Sequence, residues 1–400
     1  MEIVGVVAEY NPFHRGHAHH LAETRRMAGE DAAIVCALSG DFVQRGEAAA
    51  FSKHARAEAA CRCGADLVIE LPLPWALSSA EGFARGAMSL LGALGCTGFS
   101  FGSEAGESEA LEEIARELID PRMQGRIREK LQADASLSYA AARQRAVADR
   151  LDGDRAKLLE QPNNILAVEY LKALFDLRLD MKPMTVRREG SAHDGVGGTL
   201  KSARELRQRL YSGREIDGEV PKAAAEIYAR EQRLGRALPD RQIMETAMLS
   251  RLRALNEEDY VRLPDAGEGL GLRLFRAART EPTIDRLFSA AATKRYALSR
   301  IRRMLCCAAL GVTAQDTAGL PPYARVLAAT ERGCAVLRRA EERGGLPILS
   351  KPASVRELSE ECLHVFELGA RAHDLWVLGL PAVEERCGGG DWRSSPVILK

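Results

Sequence analysis

The chain has 400 residues, 56 of them Lys or Arg and 56 Asp or Glu, and 46% are hydrophobic. That balance excludes intrinsic disorder, collagen and low-complexity scaffolds. Zero formal net charge excludes a polycation that coats nucleic acid indiscriminately, while leaving room for a local basic face.

Nine cysteines, an odd number without the spacing of a disulfide framework, point to a reducing compartment. The opening MEIVGVVAEYNPFHRGH has no basic segment ahead of a long apolar run, as a secretory signal would require. No stretch approaches the roughly 18 uninterrupted apolar residues of a membrane span. The expectation is a cytoplasmic protein with no membrane partner; no protein partner is implied either.

The first hundred residues alternate short apolar runs with helical patterns. Strands are expected at 3–8 (IVGVVA), 32–38 (AAIVCAL), 66–71 (DLVIEL) and 98–101, with helices at 17–28, 53–63 and 80–94 between them. Strands of this length separated by helices indicate βαβ units and a parallel sheet covered on both faces. Ligands of such sheets collect beyond the carboxyl ends of the strands.

From about 107 the pattern turns helical, most clearly at 161–177 (QPNNILAVEYLKALFDL), where Pro162 suits a first turn. A returning strand is expected at 184–188, a polar glycine-rich loop at 190–198, and a helix at 202–210. Beyond 222 the periodicity is helical, as at 292–310 and 354–375, with short strand pieces only near 346–350 and the C-terminus. The fold class is therefore α/β: an N-terminal Rossmann-like parallel-sheet domain over 1–215, then a mainly α-helical domain over 216–400.

The sharpest local feature is Glu9-Tyr10-Asn11-Pro12-Phe13-His14-Arg15-Gly16-His17, directly after the first strand. Pro12 stops the strand from continuing, and Gly16 removes a side chain where a ligand would approach the backbone. His14 and His17 are three apart across the start of a helix, so both rings can face one side. A helix N-terminus offers N–H groups to anions, and two imidazoles there can donate to phosphoryl oxygens as charge builds in a transition state. The H-x-G-H turn in this position is the ATP-holding device of nucleotidyltransferases and class I aminoacyl-tRNA synthetases. Zinc bound by His14, His17, His19 and His20 is the competing reading, but no carboxylate or thiolate lies at ligand spacing. His19 and His20 read as helix-face residues beside the site.

Other pieces gather at the same rim. Asp41, in SGDFVQRGE after the second strand, is a candidate Mg²⁺ ligand or acid–base group, with a turn-forming Asp as the alternative. Lys53 and Arg56 open the next helix and are candidate phosphate contacts; solvated surface charge is the alternative for Arg56. Gly102 could admit adenine or ribose close to the backbone. Ser202 is either a plain helix cap or part of a second phosphate-binding turn. The chain contains no Walker A or G-x-G-x-x-G sequence.

The assembled segments resemble the bacterial tRNA(Met) cytidine acetate ligase family. They are AEYNPFHRGH (8–17), SGDFVQRGE (39–47), GADLVIELP (64–72), FSFGSE (99–104), QPNNILAVEYLKAL (161–174), LPDAGEGLGLRL (263–274), KRYALSRIRRML (294–305), PYARVLAATERG (322–333) and LPILSKPA (346–353). The resemblance implies an enzyme that uses ATP and acetate to make acetyl-adenylate, with Mg²⁺ assisting. The acetyl group then passes to N4 of the wobble cytidine of elongator tRNA(Met), giving N4-acetylcytidine.

Carried onto this chain, the resemblance implies ATP binding by Val7, Ala8, Glu9, Tyr10, Asn11, Pro12, Phe13, His14, Arg15, Gly16, His17, Ala18, His19 and His20, joined by Gly102, Asn163 and Arg188. His14, His17 and Asp41 are the catalytic candidates. Lys294, Arg295, Arg300, Arg302 and Arg303 are candidate contacts to tRNA phosphates, with an ordinary solvated helix face as the alternative. Two positions depart from the family pattern: Asp41, where Asn is usual, and Arg204, where a hydroxyl residue follows Ser202-Ala203. The alternative functions are a nucleotidyltransferase acting on a small phosphate ester and a non-catalytic ATP-dependent tRNA-binding module. The long helical half favours an RNA-binding enzyme over the first, and the paired histidines disfavour the second.

Overall fold

The strands expected in the first hundred residues form, and they are mostly apolar because both faces of the sheet are covered, with buried Glu70 and Ser100 among the exceptions. In the 33–39 strand, Val35 and Ala37 enter one core cluster while Ile34, Cys36 and Leu38 enter another on the opposite face. A computed structural model describes residues 1–134, 136–187, 201–293 and 296–399. The glycine-rich loop 190–198, Arg188, Lys294 and Arg295 lie outside the described residues.

The first part of the chain runs β1 (Ile3–Ala8), α1 (Arg15–Ala28), β2 (Ala33–Ser39), β3 (Phe42–Val43), β4 (Glu47–Ala48), α2 (Lys53–Arg62), β5 (Leu67–Leu71), α3 (Leu73–Ala76), α4 (Ala80–Ala93) and β6 (Gly98–Ser103). The helices α5 (Glu109–Ile119), α6 (Pro121–Ala133), α7 (Tyr139–Ala148), α8 (Gly153–Lys157) and α9 (Pro162–Asp176) lead to β7 (Lys182–Arg187) and α10 (Ala203–Tyr211). Six helices follow: α11 (Lys222–Arg233), α12 (Arg241–Ala254), α13 (Glu257–Val261), α14 (Leu270–Thr280), α15 (Ile284–Ala291) and α16 (Leu298–Leu310). The chain ends with β8 (Ala324–Ala329), α17 (Glu331–Arg343), β9 (Ile348–Leu349), α18 (Glu360–Leu378) and β10 (Val397–Ile398).

The main sheet has the order β10-β8-β5-β2-β1-β6-β7, with β9 beside β8. Every pairing is parallel except β5 with β8. From β1 the chain steps to β2 and β5 on one side, then returns to β6 and β7 on the other. The switch point lies between β1 and β6, where a crevice opens at the carboxyl ends of a doubly wound sheet.

The sheet also draws on residues well beyond 215, because β8, β9 and β10 extend it from the far part of the chain. The short pieces near 346–350 and the C-terminus were legible in sequence; β8 was not. Its A-R-V-L-A-A run carries a charge at Arg325 that breaks an apolar pattern, and the fold tolerates it by burying Arg325 against Glu70 and Asp391. The β3–β4 hairpin was also missed, since strands of two residues carry no periodicity.

Between α10 and β8 the chain is helical, and α12, α14, α15 and α16 share an apolar cluster with Leu368, Ala372, Trp376 and Val377 of α18.

Candidate active site

Helix α1 begins at Arg15, two residues earlier than expected, because His14 itself takes the N-cap position in extended backbone. His14 Nδ1 accepts from the Gly16 amide at 3.1 Å, and His17 Nδ1 accepts from the His14 amide at 3.3 Å. The two rings stack with centroids 3.7 Å apart and planes inclined by 23°. An imidazole whose Nδ1 accepts a hydrogen bond carries its neutral-form proton on Nε2. The cap therefore sets both rings in the tautomer that donates through Nε2, at a helix N-terminus that favours anions.

The turn that delivers these rings is held from several directions. Tyr10 has a φ of 45°, and the Asn11–Pro12 peptide is cis. Asn11 Oδ1 accepts from the Ala50 amide at 2.9 Å, and Asn11 O accepts from Arg207 Nη1 at 2.7 Å. The Phe13 amide donates to the Tyr228 hydroxyl at 2.8 Å. Glu9 Oε1 accepts from the Gln44 amide at 2.9 Å, and burial, only partly offset by that bond and by nearby arginines, raises its carboxyl above the usual range.

The expected ATP segment thus divides by role. Ala8, Tyr10, Asn11, Pro12, Phe13 and His14 are buried and shape the turn. Arg15 is exposed, and Val7, Glu9, Gly16, His17, Ala18, His19 and His20 are half-buried. The ring of Tyr10 packs 4.8 Å from that of His17. His20 Nε2 lies 3.0 Å from Ser100 Oγ, which ties α1 to β6.

Across the switch point, Gly102 lies on β6 in register with Val186 of β7. Asn163 lies in the first turn of α9, and its Nδ2 donates to Glu104 Oε1 at 2.5 Å. Glu104 Oε2 also accepts from the Asn164 amide at 3.0 Å, while Asn164 Oδ1 accepts from the Glu104 amide at 3.1 Å. This reciprocal clasp fixes the start of α9 to the end of β6. The structure therefore places the β1–α1 turn, Gly102 and Asn163 at the same carboxyl end of two neighbouring strands, β1 and β6. Glu104 was not singled out in sequence, although its place at the end of FSFGSE was a signal.

Asp41 has a different setting from the one expected. It is 2% exposed, with Oδ1 accepting from the Lys53 amide at 2.9 Å and Oδ2 from His373 Nδ1 at 2.9 Å. Burial alone would raise its carboxyl, but the His373 charge, its hydrogen bond and the Lys53 ammonium outweigh that and hold it well below the usual range. A permanently ionised, fully engaged carboxylate cannot act as an acid and is too weak a base near neutrality. Among the described residues no three His, Cys, Asp or Glu groups gather around a common point. The donor set does not fit a protein-held Mg²⁺.

Lys53, a candidate phosphate contact, is fully buried, its Nζ 2.8 Å from Glu70 Oε1 and 2.7 Å from Asp391 Oδ2. Its charge is spent on those two carboxylates. Arg56 is neither a phosphate contact nor a solvated charge. It is fully buried and donates to the carbonyls of Phe51, Glu9 and Gly40, lacing together the ends of β1 and β2. Ser202 is a plain cap: its hydroxyl accepts from the Glu205 amide, and the Glu205 carboxylate folds back onto the Ser202 amide and hydroxyl. A carboxylate already occupies the place a second phosphate would take.

Of the basic residues expected to meet RNA, Arg300 donates to the carbonyls of Asp265 and Gly267 and to Glu268. Arg303 is buried against Asp265. Only Arg302 among these three presents a half-exposed guanidinium, paired with Glu47 at 3.2 Å.

Residues 1–389 match the family described as HIGH Nucleotidyl Transferase. The chain is 39% identical over 359 residues to a tRNA(Met) cytidine acetate ligase of Syntrophotalea carbinolica, a match covering 88% of this chain and 85% of the relative. It is 32% identical to the protein of the same name from Acetivibrio thermocellus, with 100% of each chain covered. Among solved structures, Thermotoga maritima TmcAL bound with alpha-thio ATP superposes with a TM-score of 0.92 at 31% identity, covering 100% of both chains.

Proposed function

Because the chain belongs to the tRNA(Met) cytidine acetate ligase family of HIGH nucleotidyl transferases, we propose that it activates acetate with ATP and acetylates N4 of the wobble cytidine of elongator tRNA(Met). The observation that carries the reading is the stacked, Nδ1-capped pair His14 and His17 at the switch point of the sheet.

In the first step an acetate oxygen attacks the α-phosphorus, the bond to pyrophosphate breaks, and acetyl-adenylate forms. Acetate is ionised at pH 7, so no strong base is required. The histidine Nε2–H groups and the amides at the start of α1 stabilise the charge on the departing pyrophosphate. Mg²⁺, on this reading, arrives with the triphosphate rather than in a cage of side chains. In the second step the cytidine amine attacks the acetyl carbonyl, the anhydride bond breaks, and AMP leaves. An anticodon loop already exposes its bases, so presenting one cytidine costs less than flipping it from a duplex.

Gly102 and Asn163 are assigned to the nucleotide on the β6 side of the crevice, and Arg188 remains a candidate there. The tRNA is assigned to the helical part of the 216–400 region, with Arg302, Lys294 and Arg295 as its phosphate contacts. No described helix is long and apolar enough to cross a membrane; the cytoplasm is proposed as the site of action because the tRNA substrate is there.

The test is to incubate the full chain with ATP, labelled acetate and unmodified tRNA(Met), then digest the RNA and look for N4-acetylcytidine. ATP binding without label in RNA overturns the ligase reading. Transfer of AMP to a phosphate ester would favour the small-substrate nucleotidyltransferase.

A further inference from the structure

The β3–β4 hairpin lies between the histidine turn and the helical part of the chain, and is bonded to both. On the turn side there are three tethers. The Gln44 amide holds Glu9, the Ala50 amide holds Asn11 Oδ1, and Arg207 bridges Glu47 at 3.2 Å to Asn11 O at 2.7 Å.

On the other side, α18 grips both ends of the hairpin. His373 Nδ1 donates to Asp41 at 2.9 Å, and Trp376 Nε1 donates to Ala49 O at 2.7 Å. These two side chains are three apart on one helix face, with ring planes within 17° of each other. The ends they hold are joined by the Ala49 amide, which donates to Asp41 O at 2.8 Å. At the tip, Gly46 has a φ of +71°, and a Cβ there would lie 2.7 Å from the Arg302 carbonyl carbon. Helix α16 therefore fits only against a glycine. Gly390 lies beside the same imidazole, where an added Cβ would come within 3.0 Å of His373 Nε2.

We infer that His373 and Trp376 are positioning residues for the nucleotide site: they fix the hairpin and, through Glu9 and Asn11, the orientation of the His14–His17 turn. The inference rests on reading that turn as the ATP site. Neither residue needs to touch the nucleotide. A turn held by three tethers to the hairpin is only as well placed as the hairpin itself, and small misplacements of binding groups weaken binding strongly.

The experiment compares His373→Leu, His373→Gln and Trp376→Phe in the full chain, measuring the ATP dissociation constant, the KM for ATP, kcat and the melting temperature. Leucine removes the donor, whereas the glutamine amide can still donate to Asp41. We expect His373→Leu to weaken ATP binding by about tenfold, Trp376→Phe by severalfold, and His373→Gln to recover most of the loss. The change should fall on KM, with kcat at saturating ATP altered less than threefold.

A lowered melting temperature with unchanged ATP affinity overturns the inference, as does a glutamine variant no better than leucine. Should the leucine variant fail to fold, Trp376→Phe and the glutamine variant decide alone: wild-type ATP affinity for Trp376→Phe rejects the proposal. A wild-type protein that binds ATP but makes no acetylcytidine sinks the ligase reading and leaves this inference standing. A wild-type protein that binds no ATP sinks both.

Discussion

His14 and His17 stack face to face at 3.7 Å, and each spends its Nδ1 on a backbone amide of the turn that carries them. One pair of bonds therefore caps a helix and chooses a tautomer. Replacing His17 by alanine removes a donor and the acceptor that holds the His14 amide. We expect His17→Ala to lower the rate of acetate-dependent pyrophosphate release by about a hundredfold or more, the range for loss of one preorganised donor. Binding of tRNA, measured by filter retention, should change little because the helical part is untouched. Comparable pyrophosphate release by the variant would remove the phosphate role.

Arg56 serves the same turn from behind. Its guanidinium donates to three carbonyls, those of Phe51, Glu9 and Gly40. A lysine keeps the charge but cannot span three acceptors with one compact ammonium. Arg56→Lys should cost about 2–4 kcal/mol of stability through buried carbonyls left unmatched, read by urea unfolding. ATP affinity should fall with it, because Glu9 and Gly40 sit at the ends of the two central strands. A variant as stable as the parent would show that the three bonds contribute nothing net.

What the sequence disclosed and what it withheld divide by distance along the chain. The strands β1, β2, β5 and β6 and the H-x-G-H turn are local patterns, and local patterns carry their own period and punctuation. The roles of Lys53 and Asp41 were misjudged because their partners are remote: Lys53 meets Asp391 across 338 positions, and Asp41 meets His373 across 332. Arg56 was misjudged for another reason, since its partners are backbone carbonyls, which residue identity does not announce. Charged residues in a loop or at a helix start look solvated until the fold places opposite charges on them. A faint signal existed in the Gly388-Gly389-Gly390 run before Asp391. An added Cβ at Gly390 would come within 3.0 Å of His373 and one at Gly388 within 3.3 Å of Asp374, so a side chain at either position would press on α18. The N-terminal half of the site was thus readable, and the ionic layer beneath it was not.

That layer can be tested directly. Lys53 is flanked by Glu70 and Asp391, while Arg325 approaches the same two carboxylates at 3.1 and 2.7 Å. Lys53→Met leaves more buried negative charge than Arg325 and His373 can neutralise. Breaking a buried pair from one side costs about 3–5 kcal/mol, so a fall of that size is expected in urea unfolding. Adding Glu70→Gln to Lys53→Met removes the surplus charge and should recover a substantial part. No recovery in the double variant would mean that charge balance is not what Lys53 provides.

His54, next to Lys53, gives a pH-dependent prediction. Both of its ring nitrogens are buried without a hydrogen-bond partner among the described residues. Burial, reinforced by the positive charges of Arg325 and Lys53, pushes the imidazole down to about 3, with Asp391 and Asp41 pulling the other way. An unfolded histidine titrates near about 6.5. Below that pH the unfolded chain takes up a proton that the folded chain refuses, so stability falls as pH drops from about 6.5 toward the folded value, at about 1.4 kcal/mol per pH unit. His373 runs in the opposite sense: burial alone would lower it, but the Asp41 charge raises it, so its contribution is complete below about 6.5 and is lost at higher pH. His373 is present in both the parent and His54→Leu, so comparing them isolates His54. The leucine variant should match or exceed the parent at pH 7.5 and gain on it steadily at pH 6, 5 and 4.5, measured by urea unfolding at each pH. Parallel curves for the two proteins would mean that His54 titrates in the folded state as it does in water.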